Sequence, residues 1–159
     1  SLAPYEMSKR AVAFRSTTGK VSVYFREVTP PDRRGSAPIR WLVVAQRGKI
    51  LFESTEFAME PGDFWTDAAH ENRYRVPQFF RITAKDGDRT LEVAMKAGKR
   101  IERSDRLEGL SAVERTVAAR FAKPVFYAYH AQFQVRLTEG EAVQEFKGRG
   151  VYEMDHLNP

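Results

Sequence analysis

The stretch PVFYAYHAQFQVRLTEGEAVQEFKGRGVYE, residues 124–153, decides how the chain folds. From Tyr127 the odd positions are Tyr127, Tyr129, Ala131, Phe133, Val135 and Leu137, and the even ones between them are Ala128, His130, Gln132, Gln134 and Arg136. Successive strand side chains point to opposite faces, so this alternation builds one apolar wall and one polar wall. Thr138-Glu139-Gly140-Glu141 reads as a tight turn, and the return strand ends in G-R-G-V-Y-E, Gly148 to Glu153. A long strand with an aromatic face and a glycine-kinked partner suits a curved sheet or barrel. The mouth of such a barrel is a common place to hold a small apolar ligand.

Outward from this hairpin, strand patterns recur at short intervals. They cover Ala11 to Arg15, Val21 to Val28, Ile39 to Ala45, Lys49 to Met59, Gln78 to Ala84 and Thr90 to Ala97, with pairing continued over Lys99 to Arg103. Hairpins are expected around Arg47-Gly48 and around Asp86-Gly87-Asp88. Thr29 to Pro38, with three prolines and a glycine, reads as a loop. Glu60-Pro61-Gly62-Asp63 reads as a turn. One helix is expected after Ser111-Ala112-Val113-Glu114, a capping box. Its stripe Val113, Val117 and Phe121 is expected to face the core, and Pro124 ends it. About nine strands and one helix make an all-β, closed or nearly closed antiparallel barrel.

Composition sets the outer limits. The 159 residues suit a single domain over 1–159, burying roughly 70% of the unfolded surface. No apolar run approaches the roughly 20 residues of a membrane-spanning helix. There is no Cys, which excludes disulfides, thiolate metal sites and a Cys nucleophile and is compatible with a cytoplasmic or an oxidising compartment. No signal peptide is read at Ser1-Leu2-Ala3-Pro4. The net charge is +5, with basic residues at Arg33-Arg34 and at Lys96, Lys99, Arg100, Arg103 and Arg106. Acids are interleaved with them (Asp32, Glu102, Asp105, Glu108), so these read as solvated segments and no nucleic-acid partner is expected. His70, His130 and His156 match no metal-ligand spacing, and no phosphate-cradling or nucleophile-elbow motif is present. Neither a metal nor a cofactor is expected.

The order W-T-D (Trp65 to Asp67), Tyr74 to Pro77, a hairpin, an aromatic strand and a closing G-x-G-V-Y-E resembles the lipocalin-like domains of the AttH and hydroxyneurosporene synthase (carotenoid hydratase) superfamily. Those proteins typically carry two lipocalin-like barrels in tandem, and from about Gly35 this chain looks like the second. The resemblance implies a lipocalin-like barrel of about eight to ten strands, an apolar ligand of lipid, isoprenoid or polyketide type, and a partner barrel or second copy.

Several residues could carry chemistry. Tyr127, Tyr129 and Phe133 share a strand face and would line a ligand chamber, with Trp41, Trp65 and Tyr74 as further lining; the same rings serve equally as core. Trp65, Asp67, His70 and Tyr74 fall in one segment, Gly62 to Pro77, where an Asp–His contact would make His70 an acid or base. Glu153, if buried on the barrel floor, would be a proton donor, with Arg81 or Arg136 as possible ion-pair partners. Three readings stand together: a binder of an apolar small molecule; a hydratase, isomerase or cyclase using Glu153, Asp67, His70 and Tyr129; and a filled barrel that serves as an interaction domain.

Overall fold

A computed structural model describes residues 9–30 and 37–157. Arg33-Arg34 and most of the proline-rich loop lie outside the described residues. Among the described residues there are nine strands: β1 (Arg10–Ser16), β2 (Ser22–Thr29), β3 (Ile39–Gln46), β4 (Lys49–Ser54), β5 (Ala58–Thr66), β6 (Arg75–Asp86), β7 (Arg89–Asp105), β8 (Val125–Glu139) and β9 (Ala142–His156). A short helix, α1 (Ala112–Ala118), lies between β7 and β8. The strands form a single antiparallel sheet in the order β4-β3-β2-β1-β9-β8-β7-β6-β5. The opening hairpin of the sequence is therefore its centre, with β8 and β9 in unbroken register from Val125↔His156 to Glu139↔Ala142.

The sheet curls until its two halves meet through their inner side chains. Phe25 on β2 touches Phe80 on β6, ring centroids 6.1 Å apart, and Phe80 touches Tyr152 on β9 at 5.5 Å. Phe14 on β1 contacts Phe25 at 5.5 Å and Phe133 at 5.8 Å, while Tyr129 stacks on Tyr152 at 5.6 Å. Val12, Leu42, Val44, Ile82, Val93, Met95 and Met154 fill the spaces between these rings and are almost wholly buried. The waist of the barrel is thus solid core, held by apolar burial and offset or edge-on ring contacts. β4 and β5 remain the two edges. Two arginines help to bridge that seam. Arg40 donates to the Phe57 carbonyl at 2.8 Å and pairs with buried Glu27 at 2.6 Å, and the Arg89 guanidinium donates to the Leu51 carbonyl.

The glycines of G-R-G are not bulges, because the β8–β9 ladder runs straight through them. They are places where rings lie against the strand. A methyl group at Gly148 would stand 2.3 Å from the Thr18 carbonyl oxygen and 2.7 Å from the Phe133 ring. One at Gly150 would stand 2.3 Å from the Arg15 oxygen and 2.6 Å from the Phe14 ring. Register shifts fall elsewhere: the pairing of β7 with β8 shifts between Ala97 and Arg100 and again between Arg100 and Glu102, and that of β3 with β4 between Val44 and Ala45.

Three expectations are corrected. The segment from Lys49 to Met59 is two strands, broken after Ser54. Glu60-Pro61-Gly62-Asp63 lies inside β5, where Gly62 pairs with Phe79 and Phe64 with Pro77 in unshifted register, and Asp63 between them has φ 51°. An edge strand tolerates a proline because one row of its backbone groups has no ladder partner, and the proline blunts the edge. In α1 the capping box forms as expected, with Ser111 N–H to Glu114 Oε2 at 2.9 Å and Glu114 N–H to Ser111 Oγ at 3.3 Å. Its stripe, however, faces solvent, with Val113 74%, Val117 53% and Phe121 79% exposed. The turn and helix around Arg115, Thr116 and Ala119 face the barrel end instead, and Arg115 donates to the Glu108 carbonyl at 3.1 Å.

Gly150→Ala should lose about 2 kcal/mol or more in denaturant unfolding, because the sheet must shift to admit the methyl group. Gly109→Ala, with nothing within 4 Å of the added methyl, should stay within about 0.5 kcal/mol of the parent. Equal stability of the two variants would contradict the packing described.

Candidate functional site

β5 delivers Trp65, the connection 67–74 delivers Asp67, His70 and Tyr74, and β7, β8 and β9 deliver Arg103, Tyr127 and His156. Together they make a buried polar end to an apolar barrel. Asp67 is 1% exposed. Its Oδ2 accepts from the Tyr127 hydroxyl at 2.5 Å and from Arg103 Nε at 2.7 Å, and its Oδ1 accepts from the Ala69 amide at 3.2 Å. Burial alone would raise its pKa. The Tyr127 hydroxyl, the Arg103 guanidinium and the Ala69 amide outweigh burial and hold the carboxyl below its ordinary range. Burial first, and then the Asp67 carboxylate, push the Tyr127 phenol far above its usual value. Near neutral pH both groups keep their protonation state. Asp67 therefore ties the 67–74 connection to β7 and β8. Losing one partner of such a buried charged pair typically costs about 3–5 kcal/mol.

Beside this tether three rings stack. His70 lies on Tyr74 at 4.8 Å and Tyr74 on His156 at 4.4 Å, with interplanar angles of 19° and 7°. Tyr127 meets His156 edge-on at 6.3 Å and Trp65 edge-on at 5.9 Å, and the Arg100 guanidinium covers Trp65 at 4.7 Å. The Tyr74 hydroxyl donates to the Lys123 carbonyl at 2.9 Å and accepts from Asn72 at 3.0 Å. The 67–74 connection is thereby fixed to the segment leading into β8. His156 Nε2 lies 2.9 Å from the Arg75 carbonyl, which requires the proton on that nitrogen. Burial lowers its pKa to about 4, so the ring is neutral at pH 7.

His70 is placed differently. Its Nδ1 accepts from the Asn72 amide at 3.1 Å, which leaves the proton on Nε2, 3.9 Å from the Asp105 carboxylate. Both residues line an open cleft of about 480 Å³ between the 67–74 connection and α1, with Ala69, Glu71, Arg115 and Lys123 among its other walls.

Of the residues singled out from the sequence, the barrel end gathers Trp65, Asp67, His70, Tyr74 and Tyr127. Tyr129 and Phe133 lie on the same inner face but pack at the waist, Tyr129 on Tyr152 and Phe133 against Phe14. Trp41 stands on the outer face of β3, 45% exposed, with its indole donating to Glu53 at 3.0 Å. Glu153 also faces outward, because its neighbours Tyr152 and Met154 point into the core. It lines an outer concavity with Arg15, Arg26 and Asp155. Arg136, its possible partner, pairs with Glu145 at 3.6 Å. Arg103, Asp105 and His156 were not anticipated. The pattern of β7 gave no sign that its far end, beyond two bulges, turns inward. Among the described residues no three metal-ligating side chains come together, and no helix is long and apolar enough to cross a membrane.

The nine-stranded curled antiparallel sheet with one short helix is a lipocalin-like barrel, the fold that the sequence resemblance implied. CghA, solved with Sch210972, is similar, with a TM-score of 0.66 and 9% identity over 96% of this chain and 42% of its own. Kievitone hydratase from Nectria haematococca is similar with a TM-score of 0.54 and 10% identity, over 94% of this chain and 40% of its own. At such identities the likeness is one of fold. The chain spans about two-fifths of the length of these proteins. No protein-family profile and no curated protein sequence matches it.

The His156 site gives a pH dependence. A histidine whose folded pKa lies near 4 stays neutral in the fold, whereas the unfolded chain takes up a proton near 6.5. The unfolded state therefore binds more protons between those values, and stability falls as pH drops through the window, by about 3 kcal/mol at most. His156→Gln, which keeps a donor for the Arg75 carbonyl, should flatten the dependence between pH 6.5 and 4 in denaturant unfolding. An unchanged slope would contradict the assignment.

Proposed function

We propose that this domain is one barrel of a protein that binds a small organic molecule and performs hydratase- or cyclase-type acid–base chemistry on it, at the barrel end rather than in the barrel waist. The observation that carries this reading is the His70–Asp105 pair: two buried or nearly buried ionisable groups facing the same cleft. His70 Nε2–H donates a hydrogen bond to the carbonyl oxygen of an enone. In a hydration, Asp105 takes a proton from the water that adds to the β carbon, His70 holds the enolate oxygen that forms, and Asp105 returns the proton to the α carbon. Asp67 and Tyr127 hold the connection that carries His70. The fold shared with kievitone hydratase and with CghA supports the reaction class. The packed rings at the waist turn the reading away from an apolar ligand enclosed among Tyr127, Tyr129 and Phe133.

The chain's span of about two-fifths of those proteins supports a place beside a further domain. The outward stripe of Val113, Val117 and Phe121 is a surface on which a partner barrel or second copy would pack.

Incubating the protein with a panel of conjugated polyenes and enones, and reading hydrated or isomerised products by mass spectrometry, tests the reading. His70→Gln should lower turnover by about 100-fold or more, while Glu153→Gln on the outer face leaves it unchanged. Equal rates in His70→Gln and the parent, or no product across the panel, would refute it.

A further inference from the structure

The outer wall of the long strands carries a second feature. The register sets Phe79, Lys96, Gln132 and Arg149 in one row across β6, β7, β8 and β9, and Arg81, Ala94, Gln134 and Lys147 in the row beside it. Two adjoining concavities of about 580 and 710 Å³ lie over these rows and share Thr18, Lys96, Gln132 and Arg149. Their walls contribute four cations, Lys96, Lys99, Lys147 and Arg149, and no carboxylate. None of the four forms an ion pair among the described residues, although Arg40, Arg89, Arg103, Lys123 and Arg136 all do. No residue lines both this groove and the barrel-end cleft.

Four like charges in one concavity repel one another, and an anion seated among them relieves that repulsion. Adjacent strands are about 4.8 Å apart, so Lys96 and Arg149, two strands apart, are separated by roughly 10 Å at their backbones. Lys147 and Arg149, two residues apart on β9, are separated by about 7 Å. A phosphate group carries about 1.5 to 2 negative charges at neutral pH, so two groups match four cations. Arg149 can bind one of them through a fork of N–H donors. The amides of Gln132 and Gln134 in the groove floor supply neutral donors. The cationic patch is also short. At the next row Arg136 is paired with Glu145, and Glu92 lies beside them. Acids there would repel a longer phosphate backbone, and proteins that track nucleic acid commonly neutralise about 6–10 phosphates.

We propose that this groove binds a small molecule carrying two or more phosphate groups. The test is calorimetric titration of the protein with inorganic tripolyphosphate at low salt, beside the Lys96→Gln/Arg149→Gln double variant and Arg136→Gln, each checked for unchanged thermal unfolding. Saturable one-to-one binding, weakened tenfold or more in the double variant, is expected. Binding by Arg136→Gln should remain close to that of the parent. Three results would overturn the proposal: no saturable binding at low salt, equal affinity in the double variant, or tighter binding of a single-stranded oligothymidylate than of tripolyphosphate at equal phosphate number.

Discussion

Phe14 and Phe133 lie directly against β9, and they can do so because residues 150 and 148 have no side chain. Much follows from that contact. With these rings on the strand, β1 and β8 come close across the inner face and Phe25, Phe80 and Tyr152 close the remaining space. The sheet curls around a solid aromatic core. A fold often associated with a central chamber here has its waist occupied by its own side chains. Open surface for chemistry then lies at the barrel end and on the outer wall.

The barrel end has a division of labour set by burial. Asp67, Tyr127 and Arg103 satisfy one another and keep fixed protonation states, which suits them to hold a connection in place. The stack of His70, Tyr74 and His156 continues that support, with His156 neutral on the Arg75 carbonyl. Asp105 and the Nε2 edge of His70 face the cleft instead. Chemistry is read at this pair because both residues line the cleft: Asp105 Oδ1 and His70 Nδ1 accept from the Leu107 and Asn72 amides, which leaves Asp105 Oδ2 and His70 Nε2 for a ligand.

Much of this fold was legible in the sequence. The period-two pattern of β8 assigned Tyr127, Tyr129 and Phe133 to one inner face, and the Arg47-Gly48 turn and the Ser111–Glu114 capping box formed as read. Errors arose where a local signal met a tertiary constraint. Pro61-Gly62 looks like a turn, but an edge strand carries it in unshifted register with β6. Val113, Val117 and Phe121 look like a core stripe, but they stand in solvent, while Arg115, Thr116 and Ala119 line the cleft at the barrel end. Glu153 would be a proton donor only if buried on the barrel floor, and strand parity fixed by Tyr152 and Met154 turns it outward. The site was legible in part: Trp65, Asp67, His70 and Tyr74 sit close in sequence, whereas Arg103, Asp105 and His156 arrive from distant strands. No local spacing announces them. The same holds for the outer groove, since Lys96 and Arg149 become neighbours only through the register of β7, β8 and β9.

A solid waist with an open barrel end is the central claim, and mapping where small molecules perturb the protein tests it most directly. Methyl and amide NMR spectra recorded during titration with a fragment library should show shifts concentrated around Ala69, His70, Leu107, Thr116 and Ala119. The methyls of Val23, Leu42, Val44, Ile82 and Val93 should stay unmoved. Saturable shifts at those interior methyls, with the barrel-end residues silent, would contradict the account.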